Sequence, residues 1–230
     1  MSGIDMPALK AKLQNGLLEM GLEIAEPVQQ KLLDYLALIH KWNKVHNLTA
    51  VREPAEMVTL HLLDSLAVLP YIQAKRLLDV GSGAGLPGIP LAICLPELQV
   101  TVLDSIEKKA SFMRQAKAEL GLGNLEVVSG RVEQYKPSEL YDVIISRAFS
   151  DLQLFTKLTQ HLGKPGGQWL AMKGVHPHDE LAQIEIQPSR IEPLNVAGLE
   201  AQRHLVFLPF QSKEFNSKEI NPEEINTKAA

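Results

Sequence analysis

Residues 77–88, LLDVGSGAGLPG, decide the fold, because an apolar strand runs directly into a glycine-rich turn. A helix follows the turn, with Pro90 near its start. A turn of this composition lets backbone N–H groups approach a bound ligand closely. Gly81, Gly83 and Gly85 have the spacing G-x-G-x-G, whereas a dinucleotide loop has G-x-G-x-x-G to hold a pyrophosphate. The stretch therefore predicts a strand–turn–helix unit with a ligand site at the turn.

Two acidic residues narrow the prediction of the ligand. Asp79 lies two positions before Gly81, where its negative charge opposes a pyrophosphate and suits a ligand that carries an ammonium group. Asp104 ends the next predicted strand, where a carboxylate can accept both hydroxyl groups of an adenosine ribose. These features predict S-adenosylmethionine as the cofactor, bound by Asp79, Gly81, Gly83, Gly85 and Asp104. The alternative is a tight structural turn whose glycines serve packing and whose two aspartates lie on the surface.

Outward from this unit, short apolar strands alternate with helices, which is typical of a parallel sheet covered on both faces. The predicted strands are 76–81, 99–104, 125–129, 141–146 and 168–174, and the helical connectors include 107–121 and 151–162. A short turn-rich segment separates residues 191–196 from 203–210, which predicts an antiparallel pair at the sheet edge. The predicted fold class is α/β: a seven-stranded, doubly wound, Rossmann-like methyltransferase sheet with a helical N-terminal layer and an antiparallel edge strand.

The first 75 residues have a helical period and predict that N-terminal layer. Asp5 can cap a first helix, while Pro27 and Pro54 open a second and a third, the third running to Leu69. Trp42 falls on the apolar stripe of the second helix and is expected in the core. We therefore expect a helical region at 1–75, an S-adenosylmethionine-dependent domain at 76–210 and a mobile tail at 211–230, which has few large apolar side chains.

Composition excludes several classes of protein. The chain has 230 residues, 45% of them hydrophobic, with 23 basic and 27 acidic residues and a formal net charge of −4. The molecule as a whole therefore does not attract nucleic acid, and any such partner needs a local patch. A single cysteine, Cys94, excludes an internal disulfide and a cysteine-based metal site and fits a reducing compartment. Without a run of 18 apolar residues or a signal peptide, we expect a cytoplasmic protein with no membrane partner and no metal.

Each class of methyl acceptor requires particular residues in the enzyme, and this requirement narrows the set of candidate acceptors. A ring carbon needs a nucleophile, and Cys94 lies in an apolar helical segment as an expected core thiol. A base amine usually needs an Asn/Asp-Pro-Pro clamp after the fourth strand, where this chain has Ser146-Arg147-Ala148-Phe149. A hydroxyl acceptor needs a general base, and Lys173 has no acidic partner that spacing reveals. An acceptor that is already nucleophilic, such as guanine N7, needs only alignment and electrostatic support.

Several motifs together resemble the bacterial glucose-inhibited division protein B family, the small-subunit ribosomal RNA guanine-N7 methyltransferases. The resemblance covers roughly residues 30–210, and its most specific part is Gly-Leu-Pro-Gly-Ile-Pro at 85–90. It is carried by Lys41-Trp42-Asn43-Lys44, Asn47-Leu48-Thr49, Arg52, His61-Leu62-Leu63-Asp64-Ser65, residues 79–91, Ile145-Ser146-Arg147-Ala148, Lys173-Gly174 and Arg203-His204-Leu205. The resemblance implies methyl transfer from S-adenosylmethionine to N7 of a specific guanine in 16S ribosomal RNA. It also implies that Gly81, Leu86, Val132, Glu133 and Arg147 line the cofactor site.

Contacts with RNA are expected from scattered polar and basic residues, of which Asn47, Arg52, Lys173 and Arg203 are the candidates. The near-neutral net charge of the protein predicts weak binding to random RNA, so we expect a target whose shape is set within the small ribosomal subunit or its precursor. We also expect the protein to act as a monomer. His61 and Asp64, three apart on a helix, are expected to hydrogen-bond to each other. The alternatives that remain are a methyltransferase acting on a small molecule or protein, an NAD-dependent oxidoreductase, and a non-catalytic ribosome-assembly factor.

Overall fold

The computed structural model describes residues 4–147, 149 and 151–210. The predicted tail at 211–230 lies outside these residues. The helices are α1 Met6–Glu19, α2 Glu26–His46, α3 Pro54–Met57, α4 Asp64–Leu66, α5 Gly88–Cys94, α6 Glu107–Leu120, α7 Leu152–Thr159 and α8 His178–Leu181. The strands are β1 Arg76–Val80, β2 Gln99–Asp104, β3 Leu125–Ser129, β4 Tyr141–Ser146, β5 Gly163–Lys173, β6 Arg190–Pro193 and β7 His204–Pro209.

The seven strands form one sheet in the order β3-β2-β1-β4-β5-β7-β6. Strands β1 to β5 are parallel, whereas β7 is antiparallel to both β5 and β6. This confirms the predicted doubly wound sheet with an antiparallel edge. The direction of winding reverses between β1 and β4, which is where open α/β sheets bind ligands at the carboxyl ends of their strands.

Both faces of the sheet are buried, as continuous apolar strands predict. Leu77 packs in a core shared with α1 and α2, and its neighbour Leu78 packs in a second core with Phe155 of α7. Successive side chains of a strand point to opposite faces, so one helical layer covers each face. Trp42, expected in the core, is partly buried at its edge and packs edge-on against Phe112 of α6. Along the described residues, no helix combines the length and apolar character needed to cross a membrane.

The N-terminal helices begin and end at the predicted signals. The Asp5 side chain accepts a hydrogen bond from the Ala8 N–H, which caps α1. Asn47 ends α2 in the left-handed conformation, with φ of 49°. The predicted single helix from Pro54 to Leu69 differs, because a π-helical segment, Val58–Leu63, separates α3 from α4. Apolar periodicity does not distinguish one π turn from an α-helical one, and such turns occur frequently at functional sites.

Strand β5 begins at Gly163, five residues earlier than the predicted 168. Its first residue pairs with Tyr141, and the register then shifts before Val143 pairs with Gln168. The irregular start is rich in glycine and contains Pro165, which are signals of a loop rather than of a strand. The sequence therefore predicted only the regular half of this strand.

Candidate active site

The glycine loop after β1 adopts the conformation that its glycines permit. Gly81, Gly83 and Gly85 have φ values of 71°, 63° and 90°, a region that disfavours other residues. The Gly81 and Ser82 N–H groups donate to the Leu103 carbonyl at 2.8 and 3.1 Å, which ties the loop to β2. Strand pairing thus fixes where the loop begins, and the glycines let it turn back toward α5. Leu86, near the end of the loop, is buried.

Asp79 lies beneath this loop and is fully buried. Its Oδ2 accepts the Gly88 N–H at 2.8 Å, whereas its Oδ1 has no hydrogen-bond partner in the part of the chain that the structure describes. Burial raises the pKa of this carboxyl to about 7, against the lowering effect of the Gly88 N–H. Gly88 is required for this contact, since a Cβ there would lie 2.9 Å from Oδ2 and 2.5 Å from Val102 Cγ1. Asp79 therefore braces the start of α5, and its contact with a cofactor stays a prediction.

Asp104 joins the end of β2 to the glycine loop. Its Oδ2 accepts the Gly83 N–H at 2.8 Å, its Oδ1 accepts the Ile106 N–H at 2.9 Å, and Lys109 Nζ lies 3.6 Å from Oδ2. A Cβ built on Gly83 would meet no atom within 4 Å, so the space beside the loop is open. The structure thus brings together the loop and the carboxylate that the sequence placed in one site.

The segment after β3 completes this side of the sheet. Val132 and Glu133 lie in a short 3-10 turn, Val132–Gln134, where Val132 is buried and Glu133 is exposed. The Gly130 N–H donates to the Asp104 carbonyl at 3.1 Å, which holds the turn beside the end of β2. Val132 and Glu133, which only the family resemblance indicated, therefore lie just after β3, the strand that pairs with β2 and its last residue Asp104.

Arg147 follows β4 and takes part in a partly buried ion-pair network around the buried Asp64. Its Nη1 donates to the Leu60 carbonyl at 2.9 Å and to Asp64 Oδ2 at 3.0 Å, while Arg203 Nε donates to Asp64 Oδ1 at 2.8 Å. The expected hydrogen bond between His61 and Asp64 is wrong, because both Asp64 oxygens face arginines. Within the described ranges, neither ring nitrogen of His61 has a partner, and burial lowers the pKa of this histidine to about 4.

Two cavities open from Arg147 along the end of β5. The smaller, about 350 Å³, is lined by His61, Arg147, Lys173 and Arg203 among others. The larger, about 710 Å³, extends from Arg147 past Lys173 toward α8. Volumes of this size accommodate a small organic ligand or part of a larger one. The cofactor candidates lie on the β1–β3 side of Arg147, and the cavities lie on its β5 side.

Lys173 has an acidic partner that spacing in the sequence did not reveal. Its Nζ donates to Glu180 Oε2 at 2.7 Å and to the Phe149 carbonyl at 3.0 Å, and its side chain is 8% exposed. The folded chain thus supplies the acidic partner that sequence spacing left undetected. Glu180 lies on α8, and only the folding of residues 174–180 back over the strand end brings its carboxylate to the lysine.

The remaining RNA candidates lie between α2 and α3. Arg52 donates from Nη2 to Asn47 Oδ1 at 2.8 Å and from Nη1 to the Asn43 carbonyl at 3.1 Å. Asn43 itself holds the loop, donating to the Val51 carbonyl and accepting the Thr49 N–H. Asn47 and Arg52 thus brace this connection, as capping residues do, and their contact with RNA stays a prediction.

Sequence reasoning missed the role of Tyr35, a buried residue of α2. The Tyr35 hydroxyl donates to the Ala84 carbonyl at 2.5 Å, so the N-terminal layer holds the glycine loop directly. The signal that could have found it is a tyrosine among aliphatic core positions, because a buried phenol usually finds a hydrogen-bond partner.

Cys94 lies half-buried on α5, where burial raises the pKa of its thiol to about 12. Among the described side chains, no group of three His, Cys, Asp or Glu could hold a metal ion.

Solved structures of low sequence identity share this fold. A SAM-dependent methyltransferase from Aquifex aeolicus aligns with a TM-score of 0.52 at 21% identity, over 69% of this chain and 94% of that one. The O-methyltransferase TomG from Streptomyces achromogenes, solved in complex with SAM, aligns with a TM-score of 0.55 at 17% identity, over 91% of this chain and all of that one. The fold is therefore that of the S-adenosylmethionine-dependent methyltransferases.

Sequence relatives are much more similar. "Ribosomal RNA small subunit methyltransferase G" of Methylobacillus flagellatus is 62% identical over 201 residues, which are 87% of this chain and 98% of the relative. The protein of the same name from Laribacter hongkongensis is 51% identical over 202 residues, with the same coverage. The model of the GidB family, described as rRNA small subunit methyltransferase G, matches residues 28–206. With the methyltransferase sheet and the loop at its switch point, these matches show that the chain belongs to the GidB family of ribosomal RNA small subunit methyltransferases.

Proposed function

We propose that this protein transfers a methyl group from S-adenosylmethionine to N7 of one guanine in 16S ribosomal RNA. The observation that carries the proposal is the contact between the glycine loop and Asp104 beside open space, in a chain of this family. An NAD-dependent oxidoreductase does not fit the family or the glycine spacing.

The residues around the loop fit the cofactor. The Asp104 carboxylate at the strand end would accept the ribose hydroxyls, and the turn at Val132 and Glu133 would flank the adenine. Gly81, Gly83, Gly85 and Leu86 would surround the amino-acid part of the cofactor, with Asp79 beneath them. Arg147, just past the end of β4, would face the carboxylate of that part. When bound, S-adenosylmethionine supplies an electrophilic methyl group on its sulfonium.

The protein's part in the reaction is to bind, align and desolvate the two reactants. The lone pair of guanine N7 is free at neutral pH, so the acceptor needs no general base. The Lys173–Glu180 pair has the composition of a general base for a hydroxyl acceptor, so hydroxyl acceptors are not excluded by the lack of a base. A small-molecule or protein methyltransferase is therefore the alternative that the experiment below must separate, and family membership favours ribosomal RNA.

RNA would reach the site at the carboxyl end of the sheet. Asn47, Arg52, Lys173 and Arg203 are our candidates for contacts with it, near the opening of the two cavities or on the loop that follows α2. With a formal net charge of −4, the protein would bind random RNA weakly and need a target that the ribosomal particle shapes. We further propose that it acts as a monomer in the cytoplasm, where small ribosomal subunits or their precursors are present.

The test uses radiolabelled S-adenosylmethionine and four acceptors: small subunits lacking the modification, naked 16S RNA, guanine-containing oligonucleotides, and a mixture of unrelated proteins and hydroxyl-bearing small molecules. We expect label in the subunits at one N7-methylguanine, mapped by nuclease digestion and chain cleavage at that base. Label confined to the protein and small-molecule mixture would contradict the proposal. Equal labelling of any guanine-containing oligonucleotide would contradict the requirement for a shaped target. Binding of S-adenosylmethionine without turnover would instead indicate a non-catalytic assembly factor.

A further inference from the structure

The larger cavity has a polar floor that the methyl-transfer chemistry does not use. It is about 710 Å³ in volume and is lined by Arg147, Phe149, Lys173, Val175 and Glu180 among others. His176, His178 and Asp179 line it as well, so polar side chains make up about half of the lining. A cavity of this size can hold one small ligand or a single base. Because Arg147 follows β4 and Lys173 ends β5, the cavity lies at the carboxyl edge of the sheet, the same edge at which the glycine loop follows β1.

The Lys173–Glu180 pair presents one donor and one acceptor beyond those it uses itself. An ammonium group has three N–H donors, and Lys173 uses two of them, toward Glu180 and the Phe149 carbonyl. Glu180 Oε2 accepts from Lys173 and from the Leu152 N–H at 2.9 Å. Its Oε1 accepts no hydrogen bond from the described residues, and the side chain is 27% exposed. The pair therefore holds an N–H donor and a carboxylate oxygen side by side on the cavity wall.

We propose that this cavity binds the guanine that receives the methyl group, and that Lys173 and Glu180 read its Watson–Crick edge. Lys173 donates to guanine O6, and Glu180 Oε1 accepts from the N1–H and the 2-amino group. Adenine presents a donor and an acceptor in the reverse order along the same edge, so it meets the lysine with an amino group and the carboxylate with a lone pair. This inference rests on the proposed function and names the residues that select the base.

The order of strands agrees with the order of atoms on the base. Across the sheet edge, Lys173 lies at the end of β5, Arg147 lies just after β4, and the glycine loop follows β1. Glu180 lies on α8, where it contacts Lys173 and the Leu152 N–H. Along guanine, the 2-amino group and N1 come first, then O6, then N7. With the Watson–Crick edge on the β5 side, N7 points toward β4 and β1, where the cofactor site is. Neighbouring strands are about 4.8 Å apart, so the whole row spans roughly 10 Å.

Apolar groups in the same cavity suit the faces of the base. The Phe149 ring contributes to the wall and packs against Phe155 at 5.2 Å, which holds it in place. Val175 contributes to the wall as well, and its side chain is largely exposed at the rim. Single bases in RNA are commonly stacked on aromatic side chains and hydrogen-bonded at their edges in this way.

The decisive experiment replaces the target guanosine with inosine, which lacks only the 2-amino group. The substituted 16S RNA is made by ligation and reconstituted into small subunits, and kcat/KM is measured for both substrates. We expect wild-type protein to prefer guanosine by about tenfold or more, because a hydrogen bond to a charged group is lost. A preference below twofold would overturn the inference, and this result does not depend on any variant.

The variant Glu180→Gln separates base reading from a structural role. Its amide oxygen can still face Lys173 and the Leu152 N–H, which turns the amide NH₂ toward the base and removes the acceptor. We expect kcat/KM for guanosine to fall about tenfold or more and the preference over inosine to fall below twofold. A structural role alone would lower both rates and keep the preference, which would overturn the inference. Glu185→Gln, an exposed carboxylate outside the cavity, is the matched control and should change neither value.

Folding is checked by binding of S-adenosylhomocysteine, which should stay within twofold of wild type. If Glu180→Gln does not bind it, Glu180→Asp, which withdraws the carboxylate by one methylene, is tested with the same expectation. If wild-type protein transfers no label to N7 of the target base in the guanosine particle or in the inosine particle, the proposed function itself fails and the inference fails with it. If wild type labels that nitrogen but does not distinguish inosine, only the inference fails.

Discussion

Replacing Tyr35 with phenylalanine should loosen the glycine loop from the N-terminal layer. Tyr35 is fully buried, and its hydroxyl donates to the Ala84 carbonyl at 2.5 Å. The variant keeps the ring and its packing but leaves that carbonyl without this donor. A lost hydrogen bond of this kind, with a buried group left unsatisfied, costs about 1–3 kcal/mol of the free energy of unfolding. Because the carbonyl belongs to the loop, part of that cost should also appear as weaker cofactor binding.

Two measurements test this expectation. Urea denaturation should show a loss of about 1–3 kcal/mol, and calorimetric titration should show S-adenosylhomocysteine binding at least about threefold more weakly. Tyr71→Phe is the matched control, since the Tyr71 ring packs edge-on against Phe207 and no hydrogen bond involves its hydroxyl within the described residues. It should change stability by less than about 0.5 kcal/mol. Unchanged stability and unchanged binding in Tyr35→Phe would refute the reasoning.

Three further predictions concern the glycine loop, the helix that follows it and the strand that precedes it. Gly83→Asp should abolish S-adenosylhomocysteine binding, because φ of 63° strains the new residue and its carboxylate would enter the open space beside Asp104; retained binding in calorimetry would contradict this. Cys94→Ser should keep most methyl-transfer activity, since the thiol is protonated with a pKa of about 12; a folded but inactive variant would count against that expectation. Asp79→Asn should alter how stability depends on pH. The folded-state pKa of Asp79, about 7, exceeds its ordinary value of 3.8, so the wild-type carboxyl contributes stability below pH 4 that is lost as pH rises toward 7. The difference in free energy of unfolding between wild type and Asp79→Asn should therefore change by up to about 4 kcal/mol across that range, and a difference independent of pH would refute the assignment.

His61, in the π-helical segment, also contributes to the pH dependence of stability, so the wild-type measurements must be compared with those of Asp79→Asn. Burial lowers the pKa of His61 from 6.5 to about 4, so its contribution to stability is lost as pH falls through that window. Asp79 acts in the opposite direction over an overlapping range. Wild-type stability alone would therefore show only the difference of two large effects, whereas comparison with Asp79→Asn isolates one of them.

The sequence by itself determined the features that depend on neighbouring residues. Alternating strands and helices, the glycine spacing at 81–85 and the cap at Asp5 are local signals that the structure confirms, apart from the early start of β5 and the π-helical segment within the predicted third helix. The side-by-side placement of the loop and Asp104 also followed, because parallel strands bring their carboxyl ends to one edge. Membership of the GidB family rests on the same kind of evidence, since its motifs are short runs of sequence.

Only the tertiary structure decided which distant side chains meet. Asp64 binds Arg203, 139 positions away, instead of His61 three positions away, because folding brings the residue before β7 against this buried carboxylate. Lys173 binds Glu180 because residues 174–180 fold back over the strand end, and Tyr35 reaches Ala84 because α2 packs across the loop. Periodicity reports that a side chain is buried but not which partner it faces. That choice depends on how separate elements pack together, so the polar network of the site became visible only in the folded protein.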